Sequence, residues 1–174
     1  MYVFSGPSNA EISVASPPAV AGLKPVGIAG FGKDAFEVTG PLVLANDEQG
    51  SDPNDACEPL AASAAGKIVL VHRGLCSFVQ KVQNVQAAGG LGVVIANVPT
   101  SASPSTPPYM GGTSGDVNIP VLSLSLADGQ ALEAQLGAGV TLTMKRSHQT
   151  DLDGSLDTSI VVHEWGHVLS NRLV

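Results

Sequence analysis

The chain has 174 residues, 44% of them apolar, which suffices for one domain with its own core, or for one domain and a fragment of a second. With 15 acidic against 8 basic residues the formal charge is −7, so the surface offers no electrostatic footprint for a phosphate backbone or an anionic lipid, and nucleic acid is excluded as an expected partner. No apolar run approaches the roughly 20 residues that span a bilayer, and Met1 is followed by neither a basic n-region nor a small-residue cleavage site, so this stretch is expected to carry no membrane anchor and no secretory leader.

The first sixty residues alternate short β-prone runs, 11–15, 25–29 and 36–45, with Pro and Gly turns, and predict a mainly β layer without a helix. From Gly66 the run Lys-Ile-Val-Leu-Val-His-Arg reads as a largely buried strand over 67–73. Phe78, Val79, Val82, Val85 and Ala88 then recur at three- and four-residue spacing, and Gly89-Gly90 stops the amphipathic helix they predict. Residues 91–98 predict a second buried strand, and the Ser-, Thr-, Pro- and Gly-rich stretch 99–116 a long exposed loop. Strand 119–124, helix 127–136 and strand 140–145 follow, so that strand, helix, strand occurs twice over and implies a mixed α/β unit with parallel pairings. Residues 146–159 are polar and acidic and read as a linker.

Two cysteines, Cys57 and Cys76, leave no odd thiol, and their spacing does not fit a Cys-x-x-Cys redox or zinc pair. A single disulfide, stabilising by about 3 kcal/mol on the chain-entropy model and requiring an oxidising compartment, is expected over two independent buried thiols. His72, after a buried strand, and His148, in the linker, are expected to be a strand-edge and a solvated histidine rather than ligands. Asp151, Asp153 and Asp157 with Gly154 fall short of a calcium loop, since the twelfth position, where an EF-hand needs Glu, is Val162.

The chemistry-bearing motif is His163-Glu164-Trp165-Gly166-His167. On a helix, residues four apart share a face, so His163 and His167 can present imidazole nitrogens to one zinc ion. Glu164, about 100° round the helical wheel from His163, stands beside such an ion as the general base for an attacking water. Asp157 or Thr158 can cap this helix, and Ile160, Val161, Val162, Trp165, Val168, Leu169 and Leu173 give it a broad apolar surface. A catalytic zinc needs a third protein ligand. Ser170 and Leu173 stand where a metzincin has Gly and His, and no Glu follows Glu164, so the third ligand is expected beyond Val174 and this chain alone is expected to be inactive.

Two family resemblances follow from these residues. Gly66 to Phe78, followed by Lys81-Val-Gln-Asn84, Ala87-Ala-Gly89 and Val93 to Asn97, with Ile119-Pro120 and Asp128-Gly129 further on, resembles a protease-associated domain. That resemblance implies a non-catalytic β-rich barrel or sandwich with flanking helices, often bridged by a disulfide such as Cys57 to Cys76 would make. Residues 153–173 resemble the active helix of fungalysin-type, thermolysin-like zinc metallopeptidases, and Met1 to Phe4 is similar to the strand that precedes that helix in the family. Together they imply peptidase strand at 1–8, an inserted protease-associated domain at 9–146, and linker plus zinc helix at 147–174. The implied activity is that of a secreted zinc metalloendopeptidase acting on proteins and peptides, with zinc as cofactor and the rest of the catalytic domain as partner. A module for substrate access or protein contact is the alternative.

Overall fold

The computed structural model describes residues 3–4, 9–147 and 152–153. The strands are β1 (Val3–Phe4), β2 (Asn9–Ser16), β3 (Gly22–Lys24), β4 (Gly27–Ile28), β5 (Phe36–Leu44), β6 (Ile68–His72), β7 (Gly92–Ala96), β8 (Val121–Leu124), β9 (Thr141–Ser147) and β10 (Leu152–Asp153), and the helices are α1 (Phe78–Ala87) and α2 (Leu126–Glu133). Two compact units are distinguished: Ala10–Ser147, and a second to which β1 and β10 belong, paired antiparallel with Val3 opposite Asp153 and Phe4 opposite Leu152.

The larger unit is built on one mixed sheet of order β3-β2-β9-β5-β6-β7-β8-β4. β5, β6, β7 and β8 run parallel to one another, while β9 joins β5, β3 joins β2 and β4 joins β8 antiparallel. The two edge strands, β3 and β4, are consecutive in the chain and separated only by Pro25 and Val26. Eight flat strands would set those edges about 34 Å apart. Three Cα steps reach about 11 Å, so the sheet must curl.

Curling gives the sheet an inside and an outside, and the central strands are apolar on both faces. Ile68 and Leu70 of β6, Val94 of β7, Leu122 of β8 and Leu142 and Met144 of β9 belong to the inner core, joined by Ile12 of β2 and Leu132 of α2. Val69, Val71, Val93, Ile95 and Val121 point the other way and pack with Val82 and Val85 of α1. Burial on both faces is why β6 and β7 read as near-continuous apolar runs rather than alternating ones. Each of these fully buried aliphatic side chains contributes about 2 kcal/mol.

Helix α1 starts where the Ser77 side chain accepts the Gln80 backbone N–H, and ends where Gly89, at φ +84°, turns the chain so that its N–H reaches Gln86 and that of Gly90 reaches Val85. Ser125 caps α2 by accepting the Asp128 N–H, and its hydroxyl donates back to the Asp128 carboxylate at 2.6 Å. A Cβ on Gly129 would lie 2.5 Å from that of Ala96, so this glycine lets α2 rest directly on β7.

The mixed α/β, β-rich class with few helices holds, but three expectations are corrected. The second strand-helix-strand unit is not a parallel pair, because β9 passes β8 by and joins β5 antiparallel. The described part of the first sixty residues is β without a helix, as expected, but β2, β4 and β5 enter the same sheet as the later strands rather than a separate layer. Stretch 99–116 is not free loop throughout: Met110 is fully buried, exchanges backbone hydrogen bonds with Ile28 and Gly30, and forms a parallel bridge with Ala29. The burial of its thioether beside Phe31 and Ala29 outweighs the turn-forming composition around it.

Candidate functional site

The parallel strands β6 and β7 end side by side, at His72 and Ala96, beneath α2 and beside the connection between β5 and β6. That connection is stitched by short polar side chains onto their own backbone. Asn46 accepts from the Glu48 N–H, Asp47 from Gln49, Asp52 from Asn54 and Asp55 from Cys57. Such Asx turns replace a regular ladder and fix where the carboxylates point. The Asn54 carbonyl accepts the His72 backbone N–H at 2.9 Å, tying the loop to the end of β6.

His72 stands between two carboxylates from different elements. Its Nδ1 lies 2.9 Å from Asp52 Oδ2, and its Nε2 lies 3.1 Å from Glu133 Oε2 at the end of α2. Partial burial of the ring disfavours its charged form, but the hydrogen bonds and charges of Asp52 and Glu133 outweigh that, and the imidazole pKa is raised above its ordinary value of 6.5. The three residues border a cleft of about 150 Å³ whose remaining wall is Ala96, Asn97, Val98, Pro99, Leu126 and Gln130. Asn97 is structural there. Its amide donates to the Ser103 and Thr106 carbonyls, and its oxygen accepts from the Arg73 guanidinium at 3.2 Å. Arg73 also donates to Ser101 and lies over the Phe78 ring, 5.8 Å from its centroid.

A second charged centre lies on the other side of the same loop. Lys81 of α1 is 0% exposed. Its ammonium donates to the Asp55 carbonyl, lies 3.2 Å from Cys57 Sγ and is 3.7 Å from the Asp55 carboxylate. Burial pushes its pKa below 10.5, against the pull of Asp55, Asp52 and Asp47. Carboxylate oxygens of Asp47, Asp55 and Glu58 come within 4.8 Å of one another, a spacing a cation can use. Lys81 supplies a positive charge to that cluster through Asp55. Cys57 and Cys76 form a disulfide across this region, with Cα atoms 5.7 Å apart.

Of the residues singled out by sequence, Cys57 and Cys76 therefore come together, while His163, Glu164 and His167 lie outside the described residues. His148 lies outside them as well. His72 ends β6, as expected of a strand-edge histidine, and it also bridges the carboxylates of Asp52 and Glu133. Asp52 and Glu133 were not singled out, and Lys81 entered only in the segment that resembles a protease-associated domain. Only Lys81 left a signal, since Phe78, Lys81, Val82 and Val85 follow the spacing of a buried helical stripe.

A profile of the PA domain matches residues 38–132, from within β5 to within α2, and so takes in the cleft except Glu133, one residue beyond its end. Aminopeptidase YwaD of Bacillus subtilis is 40% identical over 81 residues, covering 47% of this chain and 17% of that protein. ER degradation-enhancing alpha-mannosidase-like protein 3 of Homo sapiens is 33% identical over 89 residues, covering 47% of this chain and 10% of that protein. The solved structure of BSAP, a zinc aminopeptidase from Bacillus subtilis, superposes with a TM-score of 0.57 at 28% identity, over 86% of this chain and 33% of that one. The chain thus spans less than a fifth of these curated relatives. The chain belongs to the PA domain family.

Proposed function

We propose that this chain is the protease-associated insert and the zinc helix of a secreted, fungalysin-type zinc metalloendopeptidase. The observation that carries the reading is the His163-Glu164-x-x-His167 spacing, which a PA domain does not need and a zinc peptidase does. A likeness to proteins named as an aminopeptidase and as an alpha-mannosidase-like protein speaks for the module they share, so the chemistry must be read from residues 153–173. The pairing of β1 with β10 supports an insertion, because the chain leaves and re-enters one small sheet on either side of residues 10–147. The disulfide supports an oxidising, extracellular setting.

The residue types and spacing fit zinc: on a helix, imidazoles four positions apart share a face, and the carboxylate next to the first falls beside them. A zinc ion held by His163 and His167 supplies a Lewis acid for the scissile carbonyl. Glu164 accepts the proton of the attacking water and returns it to the leaving amine. Protein and peptide substrates, and the remaining catalytic domain with its third ligand, are the partners. In the full-length protein, Glu164→Gln is expected to lower hydrolysis by about a thousandfold while zinc content stays the same. Undiminished hydrolysis removes Glu164 from its role. An internally quenched peptide acetylated at its amino terminus separates the two peptidase classes: an endopeptidase cuts it and an aminopeptidase does not.

The second reading, a non-catalytic module that governs access of substrates or contacts other proteins, is favoured by the PA match itself and is compatible with the first. Deleting residues 10–147 from the full-length protein is expected to alter cleavage of folded proteins more than of short peptides. Equal effects on both count against it.

A further inference from the structure

The His72 cleft has the features of a ligand site: polar groups converging from separate elements, an apolar wall, and a place at the carboxyl ends of parallel strands. Its charge states the ligand class. Asp52 and Glu133 face His72 from the β5–β6 connection and from α2, and the end of β7 contributes only Ala96, with Asn97 just after it. Arg73 is engaged by Asn97 and Ser101, and Lys81 by Asp55 and Cys57. Among the described residues lining the cleft, the imidazole is therefore the one group able to carry positive charge against two carboxylates.

An imidazolium donates through both nitrogens and satisfies both carboxylates at once. A neutral imidazole has a single N–H. Whichever carboxylate it keeps, the other ring nitrogen then faces a carboxylate oxygen at about hydrogen-bond distance, acceptor against acceptor, with a net charge of about −2 in the cleft. The group that resolves this is positively charged and carries several hydrogens. Val98, Pro99 and Leu126 give its methylene stem an apolar surface to lie on. We propose that this cleft binds an ammonium or guanidinium group, which takes the place of the His72 charge between Asp52 and Glu133. The assignment is independent of the zinc peptidase reading, since every residue in it belongs to the larger unit.

The test is an NMR titration of the whole chain with end-capped tripeptides carrying a central arginine or a central glutamine, and with a tripeptide amide whose amino terminus is free. The arginine peptide, the free amino terminus or both are expected to shift the amides of Asp52, Asn97, Gln130 and Glu133 and the His72 ring saturably, with the glutamine peptide silent. For the arginine peptide, affinity is expected to rise about tenfold or more as pH is raised through the His72 midpoint, read in the same samples. Glu133→Gln, at a solvent-accessible helix end, is expected to weaken binding about tenfold and to lower that midpoint. No saturable shift from either cationic peptide, an equal response to the glutamine peptide, or an affinity that ignores His72 protonation overturns the proposal.

Discussion

Lys81 and His72 share one acidic loop, and they differ in what water can reach. Lys81 is wholly enclosed, with its ammonium against a carbonyl, a sulfur and a carboxylate, and no solvent to substitute for any of them. His72 is partly open, and its two carboxylates are each about a third exposed. The same chemistry, a cation among carboxylates, is therefore a fixed support on one side of the loop and an adjustable contact on the other. An enclosed charge that loses its partners has nowhere to go, whereas an exposed one is rescued by water.

Lys81→Met is the change that breaks this contrast most severely. Methionine keeps the length of the stem but leaves the Asp55 carboxylate facing an apolar side chain and the Asp55 carbonyl without its donor. A loss of about 3 kcal/mol is expected, or about 10 °C in melting temperature for a unit of this size, followed by circular dichroism. A shift below about 2 °C shows that the ammonium does not support the loop. The disulfide ranks next. It joins positions 19 apart in sequence beside the Lys81 ammonium, and replacing Cys57 and Cys76 together by serine is expected to cost about 3 kcal/mol in guanidinium unfolding. If the loss is below about 1 kcal/mol, the Asx turns and Lys81 hold the connection without the covalent link.

What was legible in the sequence follows the same division between local and assembled features. Strand β6, helix α1 and strand β7 were readable because each announces itself over a few residues: Ile68 to Val71 as an apolar run, Phe78 to Ala88 by three- and four-residue spacing, Gly89-Gly90 as a stop. The Cys57–Cys76 bond was readable because only one pairing exists. The partner of β9 was not readable, because whether a strand returns to its predecessor or crosses to β5 is settled by the curl of the entire sheet. Nor was the cleft. Asp52, His72 and Glu133 are separated by 20 and 61 positions, and nothing local marks three polar residues as neighbours. Met110 was hidden by its surroundings, a single apolar anchor in a stretch of turn formers.

The smallest effect is the one that most sharply defines the comparison. The folded pKa of His72 is raised, so the stability it adds is fully present below the unfolded value near 6.5 and is lost as pH rises through the folded midpoint. Between wild type and His72→Gln, the gap in urea midpoint is therefore expected to be widest on the acid side, above the carboxylate range, and to close as the solution becomes alkaline. Because both partners are solvent-accessible, the gap corresponds to less than about 1 kcal/mol. A gap that widens with rising pH reverses the sign required by a protonated bridge. His72 would then be held by its neutral form, and the two carboxylates would not be its counter-charges.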